Sequence, residues 1–211
     1  MQKNHLFRNC ALIFVFELLA LVLFLSPEQV ATTMAKEGVK IENTLGTDTL
    51  RELDKRTSKS FNSLFLESGV YAAIWHTLIP TEDEKEKSGA FRNTGKGLFK
   101  WVEDKLTVCM FLMFQLLQRV HLMGMWLPSA FLVLAASVYS GINLRRIKQG
   151  NFAFASPTAH RSAIRGIIIM VTLLPLYFFL PMSVSPYLYP FLYLLWSFMI
   201  MGIIANIAKR I

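Results

Sequence analysis

The residues with the most obvious chemical potential are a glycine-flanked lysine, four histidines, two cysteines and one membrane-embedded acid. Gly95-Lys96-Gly97 has the look of a phosphate loop, but the spacing from Gly89 is wrong for one. Gly97 also stands where a Mg²⁺-binding Ser or Thr is required. His5, His76, His121 and His160 fall on different segments, and no two share the spacing of a metal-ligand pair. Cys10 and Cys109 lie near opposite ends of their segments, and a disulfide needs Cα atoms within about 7 Å. No Ser/His/Asp or Cys/His set has arguable spacing. The sequence therefore predicts no catalytic residue, no cofactor and no metal site, and the chain is not read as an enzyme.

Glu17 is different. It is the one acid inside an apolar block, and an intramembrane carboxylate is a functional candidate by default. It lies roughly 12 Å from the start of its span, at about 1.5 Å per residue. Arg119 is excluded as its partner because it is placed near the opposite interface. Ser137, Tyr139 and Thr172 match Glu17 in depth. The expected role is a hydrogen bond that helps helices associate. A contact to another protein's membrane helix, or proton coupling, are the alternatives.

These residues belong to a chain built for a bilayer. Of 211 residues, 54% are apolar and only 17% charged, against about 25% charged in soluble domains. The apolar residues form blocks approaching the roughly 20 residues that span a membrane. The net charge of +8 does not signal a nucleic-acid surface, and no sequence-specific nucleic-acid binding is expected. The excess sits at Lys3 and Arg8, at Arg145, Arg146, Lys148, Arg161 and Arg165, and at Lys209 and Arg210. These are flanks of apolar blocks, as the positive-inside rule predicts for cytoplasmic loops.

The expected fold is an all-α membrane protein with four transmembrane helices and a mainly helical extramembrane insertion between the first and second. Residues 1–27 form the first span, read as an uncleaved anchor rather than a signal peptide. The helical periplasmic and interfacial region covers 28–120. Within it the first helix is expected to run on through Asn43, Gly46 to break it, and Thr47 or Asp48 to cap the next helix. That helix is expected to continue until just before Pro80. A capping-box turn at Thr81 and Glu84 follows, then a loop from Ser88 to Gly97 and a helix from Leu98. Leu106 to Val120 is read as an amphipathic interfacial helix, because Gln115, Gln118, Arg119 and His121 make it a costly span.

A three-span region then covers 121–211. Its spans run from His121 to Asn143, from Gly166 to about Leu180, and from about Leu188 to Ala208. A basic cytoplasmic loop occupies 144–165, and an uncharged outer hairpin surrounds Ser185. Both termini are then cytoplasmic, in a bacterial inner membrane. Small residues at four-residue spacing, Ala136/Ser140, Ser137/Gly141 and Gly202/Asn206, allow close helix approach. They would serve bundle packing, a homo-oligomer or a partner seam. Phe152 and Phe154 are two aromatics in the basic loop, with Pro157 holding Ser156 extended. They are read as a docking pair or as lipid-interface anchors.

The segment Ser68-Gly69-Val70-Tyr71-Ala72-Ala73-Ile74-Trp75-His76-Thr77-Leu78-Ile79-Pro80-Thr81-Glu82 resembles a stretch in a TraJ-like family of integral membrane proteins. These are encoded on conjugative plasmids and integrating conjugative elements, often near the type IV coupling protein gene. The loop from Asn151 to Arg161 is similar too, and the order of spans fits nearly the whole chain. The resemblance implies an accessory inner-membrane component of a conjugative type IV secretion system. Its partners would be the hexameric coupling ATPase and the lipid bilayer, with Glu17, Ser137, Gly141, Phe152 and Phe154 as partner-binding residues. The alternatives are a small proton-coupled transporter subunit centred on Glu17, or a surface-exclusion or envelope protein.

Overall fold

A computed structural model describes residues 3–78, 94–151 and 155–207. Among these residues the elements are helices joined by short breaks: α1 (Lys3–Phe24), α2 (Pro27–Leu45), α3 (Thr47–Phe61), a π-helical turn (Asn62–Glu67), α4 (Val70–Leu78), α5 (Thr94–Met125), α6 (Leu127–Gly150), α7 (Pro157–Phe179) and α8 (Leu188–Ala205). No strand occurs among the described residues. The contacts divide the chain into two compact units. One holds Met1–His121 with Phe178–Val184, the other Leu122–Tyr177 with Ser185–Ile211.

In the first unit the chain bends by 109° between Leu12–Phe24 and Pro27–Leu45, so the first helix does not run on beyond the membrane as expected. The cause is local. Ser26 caps α2: its Oγ accepts from Gln29 N–H (3.3 Å), and its own N–H donates to Gln29 Oε1 (3.0 Å). Pro27 follows at the start of the helix, where its missing N–H costs nothing. Gly46 breaks the chain as expected, at φ +89°, a backbone region that favours glycine. It also occupies the cap position of α3, where no side-chain hydrogen bond is made. Thr47 Oγ1 donates to Glu42 Oε1 instead (3.0 Å), so neither Thr47 nor Asp48 is the cap. The helix expected to reach Pro80 is interrupted by the π turn and by Ser68-Gly69, with Gly69 at φ +75°. The turn predicted at Thr81 and Glu84 lies outside the described residues.

The longest element is α5, at 32 residues, or about 48 Å at 1.5 Å per residue. It starts earlier than expected and takes up Gly95-Lys96-Gly97 in its first turn. It runs unbroken through His121 to Met125. The break falls at Trp126, with Pro128 in the first turn of α6. Leu106–Val120 is therefore not a separate interfacial helix. Val30 on α2, Val108 and Leu112 on α5, and Phe179 form a buried core, against which Phe14, Leu18 and Leu21 of α1 pack.

Among the described residues four helices are long and apolar enough to cross a membrane: α5 over Phe99–Met125, α6, α7 and α8. Leu12–Phe24 of α1 qualifies only together with α2 as a bent pair. The count agrees with four spans, but its membership differs by including α5. Large side chains on these helices face outward, with Phe16 74%, Phe131 70% and Phe198 65% exposed, as suits a multi-pass membrane protein. Both α6 and α7 extend past the expected span ends. Arg145, Arg146 and Lys148 sit on the last turns of α6, and Arg161 and Arg165 on the first turns of α7. The supposed 144–165 loop is thus mostly helical, with residues 151–156 as the connection.

Candidate functional site

The most constrained chemistry in the first unit is a charge pair that the sequence reading did not find. On α2, Val30, Glu37 and Ile41 are buried, so an acid shares the apolar stripe. On α5, Val108, Leu112, Gln115, Arg119 and Leu122 are buried along one face. Packing these stripes together brings Glu37 to Arg119, whose side chains are 2% and 0% exposed.

Arg119 Nε donates to Glu37 Oε1 (3.0 Å) and Nη2 to Glu37 Oε2 (2.8 Å). Nη1 donates to the carbonyls of Phe178 (3.1 Å) and Leu180 (2.9 Å), and Nη2 also to that of Met182 (2.6 Å). A guanidinium has five N–H donors, and acceptors from α2 and from residues 178–182 converge on this one. Gln115 Nε2 adds a bond to Glu37 Oε2 (2.8 Å). The carbonyls of Phe178 and Leu180 lie at the C-terminal end of α7, where helices leave acceptors unpaired and cations are favoured. Lys40 Nζ holds the same segment through Ser183 O (2.7 Å) and Oγ (2.9 Å).

Fourteen residues before Arg119, about four helical turns, Lys105 does the same for α1. Its Nζ donates to Leu23 O and Leu25 O, each at 2.9 Å. One face of α5 thus supplies cations to the C-terminal ends of two helices. At its edge Gln118 donates to Asp54 Oδ1 (3.3 Å), and desolvation pushes the Asp54 carboxyl up despite that bond. His121 Nε2 lies 3.2 Å from Ser60 Oγ, and its Nδ1 2.7 Å from Leu117 O. The arrangement fixes backbone ends and offers no open site for a substrate.

In the second unit the small-residue stripe is packed at Gly141, while Ala136 is exposed. A Cβ at Gly141 would lie 3.0 Å from Ile204 Cβ and 3.2 Å from Met201 O, so α6 and α8 approach closely there. Ser137, one turn earlier, is half-buried. Asn206 draws the chain ends together. Its Oδ1 accepts from Lys148 Nζ (2.7 Å) and Ser156 N–H (3.2 Å), and its Nδ2 donates to Gly202 O (2.8 Å). His160 Nδ1 lies 3.1 Å from Ile203 O.

Glu17 belongs to the first unit, and Ser137, Tyr139 and Thr172 to the second. One Glu17 carboxyl oxygen is shielded, with no hydrogen bond to it among the described residues. Thr172 Oγ1 donates to Ile168 O (2.8 Å), and Tyr139 is exposed. Phe152 and Phe154 lie outside the described residues. Cys109 is a half-buried free thiol. No group of His, Cys, Asp and Glu among the described residues is arranged to hold a metal.

The sequence model of the family described as "IncC plasmid conjugative DNA transfer protein DtrJ-like" matches residues 23–208. This bears out the conjugative association of the resemblance, although the family carries a different name from the TraJ-like one. No curated protein and no solved structure matches the chain.

Proposed function

The chain belongs to the DtrJ-like family of IncC plasmid conjugative DNA transfer proteins, and from that premise we propose that it is an accessory inner-membrane component of a conjugative type IV secretion system. It binds the hexameric coupling ATPase, or the channel beside it, and carries out no chemistry of its own. The observation that carries this reading is the family match over most of the chain, joined to apolar helices with large outward-facing side chains. A protein built this way works by holding partners in the bilayer.

Four spans with both termini cytoplasmic bring every basic cluster to the side of the ATPase motor. The short connection at 151–156, tethered through Asn206 to Ser156 and Lys148, is the docking element. Phe152 and Phe154 are its aromatic anchors, and Glu17, Ser137 and Gly141 act in helix association with partners or with a second copy. A second reading, a proton-coupled subunit, draws support only from the shielded oxygen of Glu17.

Deletion of the gene from donor or recipient cells tests the proposal. An accessory transfer component predicts loss of DNA transfer when the donor lacks it, and no effect in the recipient. Normal donor activity with altered recipient behaviour would instead indicate a surface-exclusion or envelope role.

A further inference from the structure

The first unit contains a cavity of about 510 Å³ that the ion-pair network does not use. Met34 of α2, Phe61 of α3, Tyr71 and Trp75 of α4, and Met110 and Phe114 of α5 line it. Tyr71 and Trp75 stack at 5.5 Å, and Phe61 meets Phe114 edge-on at 5.6 Å. Its polar groups are few: the hydroxyls of Tyr71 and of Thr107, which already donates to Glu103 O (2.9 Å), and the indole N–H of Trp75. We propose that this cavity binds one hydrocarbon chain of a membrane lipid.

The volume lies within the roughly 300–1,000 Å³ typical of ligand sites. The lining decides the ligand's chemistry. A peptide segment would bring more N–H and C=O groups than these few can pair, each unpaired one costing several kcal/mol in an apolar setting. A partner helix, about 10–12 Å across, would fill this space with roughly one turn. A hydrocarbon chain has no polar group to satisfy and bends to fit. The surface beside the cavity points the same way. Leu64 and Leu66 of the π turn and Val70 of α4 are 55%, 50% and 42% exposed. These exposed apolar side chains, with Glu67 as the one charge among residues 62–70, suit contact with lipid near its polar boundary. Seven charged residues, Glu82, Asp83, Glu84, Lys85, Glu86, Lys87 and Arg92, lie in the sequence between the two lining helices α4 and α5. The inference needs the protein to lie at a bilayer but does not depend on its role in conjugation.

The test uses the full chain in vesicles of phosphatidylethanolamine and phosphatidylglycerol, doped with a phosphatidylglycerol bearing a diazirine near one acyl terminus. After illumination, crosslinked peptides are mapped by mass spectrometry. Labelling is expected around Tyr71–Trp75 and Met110–Phe114, and also near the outward-facing Phe198, which serves as an internal control. Met110→Trp, which fills the cavity, should lower the cavity labelling by about tenfold, the change that ~1.4 kcal/mol of lost binding produces, and leave Phe198 labelling intact. Met34→Phe, from the opposite wall, repeats the test if Met110→Trp does not fold. Phe198 labelling without cavity labelling in the wild type would overturn the proposal. So would cavity labelling that a folded filling variant leaves unchanged.

Discussion

Removing Glu37 should be far more damaging than removing an exposed acid, and removing Arg119 with it should repair part of the loss. Glu37→Met leaves a guanidinium that is 0% exposed, still bonded to the carbonyls of Phe178, Leu180 and Met182 but without its carboxylate. Breaking one side of a buried pair costs about 3–5 kcal/mol. Arg119→Met strands the Glu37 carboxylate and also removes the cation those carbonyls bind, for about 1–3 kcal/mol more. In Glu37→Met/Arg119→Met no charge is stranded, and two methionines roughly fill the volume. Only the carbonyl loss remains. The double variant should therefore be more stable than Arg119→Met alone, with a coupling energy of about 6–10 kcal/mol between the sites. Unfolding of purified protein by SDS titration in mild-detergent micelles, followed by far-UV circular dichroism, measures all four forms. Independent sites add to within about 0.5 kcal/mol. Additivity at that level, or a double variant less stable than both singles, would refute the claim that this pair closes the first unit.

The other predictions concern separate features. At the α6–α8 seam, Gly141→Val should cost about 1–3 kcal/mol by overpacking against Ile204 and the Met201 carbonyl, read in the same titration, while Gly124→Ala, whose Cβ would meet nothing within 4 Å, should not. Glu17→Gln should keep most DNA transfer, whereas Glu17→Leu should weaken helix association by about 0.6–2 kcal/mol; equal damage from both would favour a titrating carboxyl. Alkaline-phosphatase fusions should be active near Ser185 and inactive after Gln149 or Ile211, with activity at Gln149 contradicting four spans. Replacing Phe152 and Phe154 with Ser should release the coupling ATPase while the protein stays in the membrane at normal abundance; unchanged binding would make the rings lipid anchors.

Short-range signals were legible where one residue type dictates the backbone. Gly46 marked a real break, and the uncharged stretch before Leu188 marked the start of α8. Ser26-Pro27-Glu28-Gln29 is a complete capping-box signature, yet the apolar residues on either side of it suggested one continuous helix. The ion pair was hidden for a related reason. Val39 of α2 is 55% exposed, so the apolar residues of that helix alone do not give the phase of the buried stripe. The phase set by Val30, Glu37 and Ile41 puts the acid inside. Likewise Gln115, Gln118 and Arg119 made part of α5 look too polar to be embedded. Their cost is met by groups 59–82 residues away in sequence, and no local pattern reveals such partners. Depth matching kept Arg119 from being assigned to Glu17 but could not identify Glu37.

The proposed role is tested most directly by its partner. The full-length chain, carrying an affinity tag at its chromosomal or plasmid copy, is extracted from mating-competent donor cells in a gentle detergent and captured. Mass spectrometry then compares the bound proteins with those held by an unrelated tagged multi-pass membrane protein. The account predicts that the hexameric coupling ATPase is enriched with the chain. Capture free of the coupling ATPase and of every channel component, from donors that transfer DNA normally, would contradict it.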